Sequence, residues 1–293
     1  QDEFETFTPS KVAAITGGSL NPEDYVTSSQ GSAGSRRADY ACLRNQGMAR
    51  QLAFGALALS RVADAAKTAE LKEKLIMQGL KDVAMHEVGH TLGLRHNFKA
   101  SSYLSLEDAN NVEKTRELGI AASVMDYTPT NLVPDGETQG DYFSTTIGPY
   151  DMWSIEYGYK PLSGSTQGDR EALQKIASRS GEPGLAYATD QDVRGIDPDP
   201  LASRYDLGKD TIEYAKRQAK LVRQLLPDVL EHTTKEGDNY VQPRRAFNIL
   251  LSTHGQAMYH AARYVGGLYT TRSHKGDKDA KPPLVPVEVE KQR

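Results

Sequence analysis

Cysteine is almost missing from this 293-residue chain. Cys42 stands alone, which excludes an internal disulfide and any zinc cage built from several thiolates. An excess of charge is missing too: 35 Lys and Arg against 39 Asp and Glu leave a net charge of −4. Composition therefore offers no electrostatic footprint for nucleic acid. Long apolar runs are also lacking. The longest, Leu52 to Leu59, falls far short of the roughly 20 residues that span a bilayer, so no transmembrane segment is expected. The opening Gln1-Asp2-Glu3 carries neither a basic n-region nor an apolar h-region. The remainder, 38% hydrophobic and 25% charged, is ordinary for a globular protein of one large domain or two smaller ones. The end, Pro282-Pro283-Leu284-Val285-Pro286 followed by charged residues, reads as a linker. Together the two ends lead us to expect a processed form or an internal piece of something longer.

Residues 17–38 are polar and rich in Gly and Ser, and read as loop. Strand patterns are scarce before residue 86; Val12–Thr16 is the only candidate. A helix is predicted over about 43–66 from Leu43, Met48, Leu52, Leu57 and Val62. A second is predicted over 69–92, with Leu80, Ala84, Val88 and Leu92 as its apolar stripe and Gly93 as its stop. Residues 97–147 read as irregular loops with short helical pieces near 105–117. Pro149 opens a further helix halted by Gly158 and Pro161, and the Gly and Pro of 163–184 suggest a boundary. Two long helices follow, Thr211–Leu226 and Arg244–Val265. The resulting expectation is an α+β chain, mostly helical.

The chemistry is concentrated in residues 86–96, His-Glu-Val-Gly-His-Thr-Leu-Gly-Leu-Arg-His, the extended pattern H-E-x-x-H-x-x-G-x-x-H. His86 and His90, four apart on a helix, present their imidazoles on one face and can reach one metal. Glu87 sits beside that face, placed to touch a zinc-bound water without binding the metal. Gly93 lets the backbone leave the helix in a conformation costly for other residues, and the turn returns His96 as a third ligand. Three protein ligands with an open fourth position make a catalytic zinc site, whereas structural sites are usually closed with four. Fixing five positions makes the pattern roughly a one-in-100,000 accident at ordinary residue frequencies.

The chain here resembles the metzincin class of zinc endopeptidases. Ser123-Val124-Met125-Asp126-Tyr127 is similar to the Met-turn of that class, which places Met125 beneath the zinc site. Tyr127 is similar to the tyrosine of astacins and serralysins, which can bind zinc at rest and swing to stabilise the oxyanion; a buried core tyrosine is the alternative. Gly148-Pro149-Tyr150-Asp151-Met152-Trp153-Ser154-Ile155 resembles the C-terminal helix that closes metzincin catalytic domains. The run from His86 through Pro161 is similar to large exported bacterial zinc metalloproteases with an extended metzincin domain. The resemblance implies a catalytic domain over 1–162, whose N-terminal sheet either lies upstream of the chain or is replaced by a cleft built differently, a helical C-terminal region over 163–280 and a tail over 281–293. It also implies a peptide or protein substrate, an extracytoplasmic (secreted, periplasmic or surface-attached) location and an N-terminal fragment of the same precursor as a partner. A zinc-containing binding module without turnover, or a hydrolase of a non-peptide bond, are the rival readings.

Other residues fit bland readings beside functional ones. Asp190, Asp192, Asp197, Asp199, Asp206 and Asp210 form an oxygen-rich stretch that can bind Ca2+, yet Asp also serves turns and helix N-caps and the spacing matches no EF-hand. His254 and His260 read as core or surface histidines. Cys42 reads as a small buried hydrophobe or, alternatively, as a thiolate capping the zinc of a latent form.

Overall fold

The computed structural model describes residues 44–62, 64–193, 197–277 and 279–293. The strand candidate at 12–16 and Cys42 lie outside these. In chain order the helices are α1 (Arg44–Leu59), α2 (Ala65–Thr91), α3 (Val112–Leu118), α4 (Pro149–Tyr159), α5 (Thr166–Ala177), α6 (Thr211–Leu225), α7 (Val229–Thr233), α8 (Val241–Ala262) and α9 (Val289–Gln292). Among the described residues the only sheet is a two-stranded antiparallel one, β1 (Leu268–Thr270) with β2 (Leu284–Pro286), in which Tyr269 faces Val285. No helix among them is long and apolar enough to cross a membrane.

The break between α1 and α2 comes earlier than helical periodicity suggested. Asp64, taken as interior to the first helix, instead accepts from the Lys67 backbone N–H at 2.9 Å and serves as N-cap of α2. α5 was missed outright in the Gly- and Pro-rich stretch. Its residues hold no proline, Gly168 falls in the first turn, and Ser165 caps it by accepting from the Gly168 N–H. α6 is capped in the same way, by the Asp210 carboxylate on the Ile212 and Glu213 N–H groups.

The apolar stripe expected on α2 is the wrong face. A four-residue repeat overshoots a full turn by about 40° per step, so Leu80, Ala84, Val88 and Leu92 spiral away from one direction. Leu80 packs at the edge of the core, Ala84 is exposed, and Val88 and Leu92 are 55% and 40% exposed. The buried face is Leu75, Gly79, Asp82, His86 and Gly89, which alternate steps of four and three, with Val83 beside Asp82.

One core joins α1 and α2 to α6 and α8. Met48, Leu52 and Phe54 of α1 pack with Leu75 and Val83 of α2, Leu221 and Leu225 of α6, and Ile249 and Leu250 of α8. Inside it, Arg44 pairs with Asp82 of α2, the two side chains being only 1% and 2% exposed. The same guanidinium donates to the Asp126 backbone carbonyl at 2.5 Å. The pair therefore ties α1 both to α2 and to the segment around Asp126. Removing one partner strands a buried charge, so Asp82→Ala should lose about 3–5 kcal/mol of stability in urea unfolding. A loss under about 1 kcal/mol would mean that the pair is not holding the helices together.

Candidate metal centre

The C-terminus of α2 explains how the third histidine returns. Leu92 closes the helix, Gly93 follows with φ of 85°, its N–H bonds the His90 carbonyl at 3.0 Å, and the Leu94 N–H bonds the Gly89 carbonyl at 3.0 Å. This pair of bonds is the Schellman closure, which needs a left-handed residue where Gly93 stands. The reversal puts the Leu94 carbonyl against His90 Nδ1 at 3.0 Å and sends His96 back toward the helix.

The segment 122–128 lies against α2 from the core side. Met125 is fully buried, and its Sδ occupies the space a side chain at Gly89 would need: a Cβ there would stand 2.3 Å from the sulfur. The Val124 carbonyl accepts from His86 Nδ1 at 2.7 Å, and the Met125 carbonyl accepts from the Asn97 N–H at 3.0 Å. Asp151 of α4 holds this turn from behind. Its carboxylate accepts from Ser123 Oγ (2.6 Å), the Val124 N–H (2.9 Å) and the Gly148 N–H (2.9 Å). Burial pushes the Asp151 carboxyl above the ordinary carboxylate range, and these three donors pull it back toward the ionised form.

His86, His90 and His96 converge, one potential ligand atom from each lying within 4.8 Å of the others. A carbonyl oxygen can only accept, so its bond to Nδ1 places a proton there in His86 and His90 and makes Nε2 the nitrogen that can offer a lone pair to a metal. His96 Nδ1 faces the Asp190 carboxylate at 2.9 Å, with the same consequence. Three buried or half-buried imidazoles, each oriented through its Nδ1, form a donor set that fits zinc. Tyr127 is buried, and its hydroxyl lies 3.1 Å from His96 Nε2, on the ligating side of the ring. Glu87 is half-buried next to His86 on α2.

The family model described as Met-zincin matches residues 68–293, from the first turns of α2 to the last residue. The chain belongs to the Met-zincin family. No curated protein and no solved structure matches it significantly. Membership and the histidine cluster together point to zinc metallopeptidase-type function.

In this Met-zincin several contributors escaped the reading of residues alone. Gly89 was one, although a glycine inside a helix costs about 1 kcal/mol against alanine and so asks for a reason; the reason is Met125. Asp151 sits in a recognised motif, but its bond to the Met-turn is a long-range contact that no local pattern announces. The acidic stretch does not gather around a cation. Asp190 faces His96, Asp192 pairs with Arg272, Asp199 with Lys99, Asp206 accepts from Ser101 Oγ, and Asp210 caps α6. Among the described residues, acidic side chains form no cluster suited to a metal, and calcium finds no support. His260 is buried on α8, where loss of solvent pushes its pKa down to about 4, as suits a core histidine.

Replacing Gly89 by Ala should drive the Met-turn away from α2. The expected result is a loss of about 1–3 kcal/mol in urea unfolding together with weaker zinc retention. Wild-type behaviour in both measurements would mean that Met125 can yield without moving the turn.

Proposed function

We propose that this chain is a zinc-dependent endopeptidase that hydrolyses peptide bonds with His86, His90 and His96 as metal ligands and Glu87 as general base. The observation that carries the reading is the convergence of three histidines, each pinned through Nδ1, with a glutamate beside the first of them on the same helix. Zinc held there would polarise the scissile carbonyl and lower the pKa of water toward about 7. The Glu87 carboxylate takes the proton from the attacking water and returns it to the departing amine nitrogen. The Tyr127 hydroxyl donates to the oxyanion of the tetrahedral intermediate; its position beside His96 Nε2 supports that role. Glu87 favours turnover over a binding module, because metal binding gives that residue no duty.

The resemblance to exported proteases supports an extracytoplasmic location. The exposed row Ala84, Val88 and Leu92 supports a strand-bearing partner, in our reading an N-terminal fragment of the same precursor, since the cleft of this class is built on a sheet.

The purified chain should hold one zinc per molecule by atomic absorption, and His90→Ala should hold close to none. Glu87→Ala should keep zinc and fold while casein hydrolysis falls roughly 100- to 10,000-fold. Wild-type proteolysis by that variant would remove Glu87 from the mechanism, and a zinc-loaded wild type inert toward casein and gelatin would favour the rival readings.

Tyr127→Phe should lower kcat with a smaller change in KM, as expected for a bond made mainly in the transition state. An equal loss confined to KM would assign the hydroxyl to substrate binding instead.

A further inference from the structure

His96 differs from the other two histidines in how it is held. His86 and His90 ride on α2 and lean on backbone carbonyls, whereas His96 lies beyond the helix in irregular chain, where no helical turn fixes its ring. Its Nδ1 meets both oxygens of Asp190, at 2.9 and 3.0 Å. The backbone around Asp190 is registered on the neighbours of His96: the Phe98 N–H bonds the Ala188 carbonyl at 2.7 Å, and Asn97 bridges the Ala186 carbonyl and the Ala188 N–H. Arg204 supplies the countercharge. Its guanidinium lies 3.5 Å from Asp190, 4.7 Å above the Phe98 ring and 5.9 Å from the Tyr127 ring. Two flat faces and one carboxylate thus fix the arginine next to the site.

A carbonyl is enough to orient an imidazole. A carboxylate also makes the ligand more basic, which strengthens its bond to a metal. We propose that Asp190 is the positioning residue of His96, setting its tautomer and ring plane and raising its affinity for zinc, with Arg204 holding the carboxylate in place. This rests on the proposed zinc site. It brings Asp190 and Arg204 into the metal centre, although Asp190 lies 94 residues beyond His96.

Two measurements decide it. In chelator competition, Asp190→Ala and the isosteric Asp190→Asn should bind zinc about 10- to 100-fold more weakly than wild type, with Asp190→Glu recovering part of the loss. In metal-free protein, nitrogen-15 NMR should show His96 as the Nδ1–H tautomer in wild type and as a mixture in Asp190→Ala. A merely structural ion pair would lower the unfolding midpoint of these variants while leaving zinc affinity and the tautomer unchanged, and that result would overturn the proposal. If wild type binds no zinc, the proposed metal site falls, and the tautomer alone still decides whether Asp190 positions His96.

Discussion

Met125 lies against α2 because position 89 carries no side chain, and the other distances in the centre follow from that approach. With the turn at this height, the Val124 carbonyl reaches His86, the Met125 carbonyl takes the N–H of Asn97, and Tyr127 arrives beside His96. A Cβ at 89 would stand 2.3 Å from the sulfur, so the turn would have to retreat and every one of these bonds would lengthen together. The metal centre is thus set by the meeting of two backbones, with the histidine side chains reading out a separation they do not themselves determine.

The turn in turn is clamped by buried charge. Asp151 closes it on one side through three donors, and Arg44 holds the Asp126 carbonyl on the other while paired with Asp82 of α2. Burying ions is costly unless each is paired and its remaining hydrogen-bonding groups are met. Here the partners are backbone groups of the turn and side chains of neighbouring helices. A displacement of the turn would leave these ions short of partners, so the burial that costs stability also specifies where the turn must sit.

What could be read in advance divides along sequence distance. The ligand spacing, the reversal at Gly93, and the long helices α6 and α8 are written in windows of a dozen residues, where period and turn chemistry act directly. α2 was placed to within a few residues, but its buried face was misjudged, because a tidy four-residue repeat is not the helical period and the true face includes Asp82, His86 and two glycines. Polar and glycine positions on a buried face give no hydropathy signal. Asp190 stood in a run of aspartates open to both a cation loop and turn or cap roles, and only the folded chain shows it meeting His96, with Asp192 on Arg272, Asp199 on Lys99 and Asp210 at a helix cap.

The C-terminal half bears on the centre through the same kind of long-range contact. Asp199 is buried against Lys99, three residues past His96, and also accepts from the Thr270 N–H and hydroxyl at 2.9 Å, while Lys99 donates to the Thr270 carbonyl at 2.6 Å. β1 therefore closes over the strip of chain that carries His96. Arg263, just past α8, holds the loop that bears Asp199 through the carbonyls of Asp197, Ala202 and Asp199. Because α8 shares its core with α1 and α2, the loop bearing Asp199, and Arg204 just beyond it, are fixed relative to the metal-binding helix by apolar packing at one end and by ions at the other. The third histidine needs that support most, since it alone among the three stands outside regular structure.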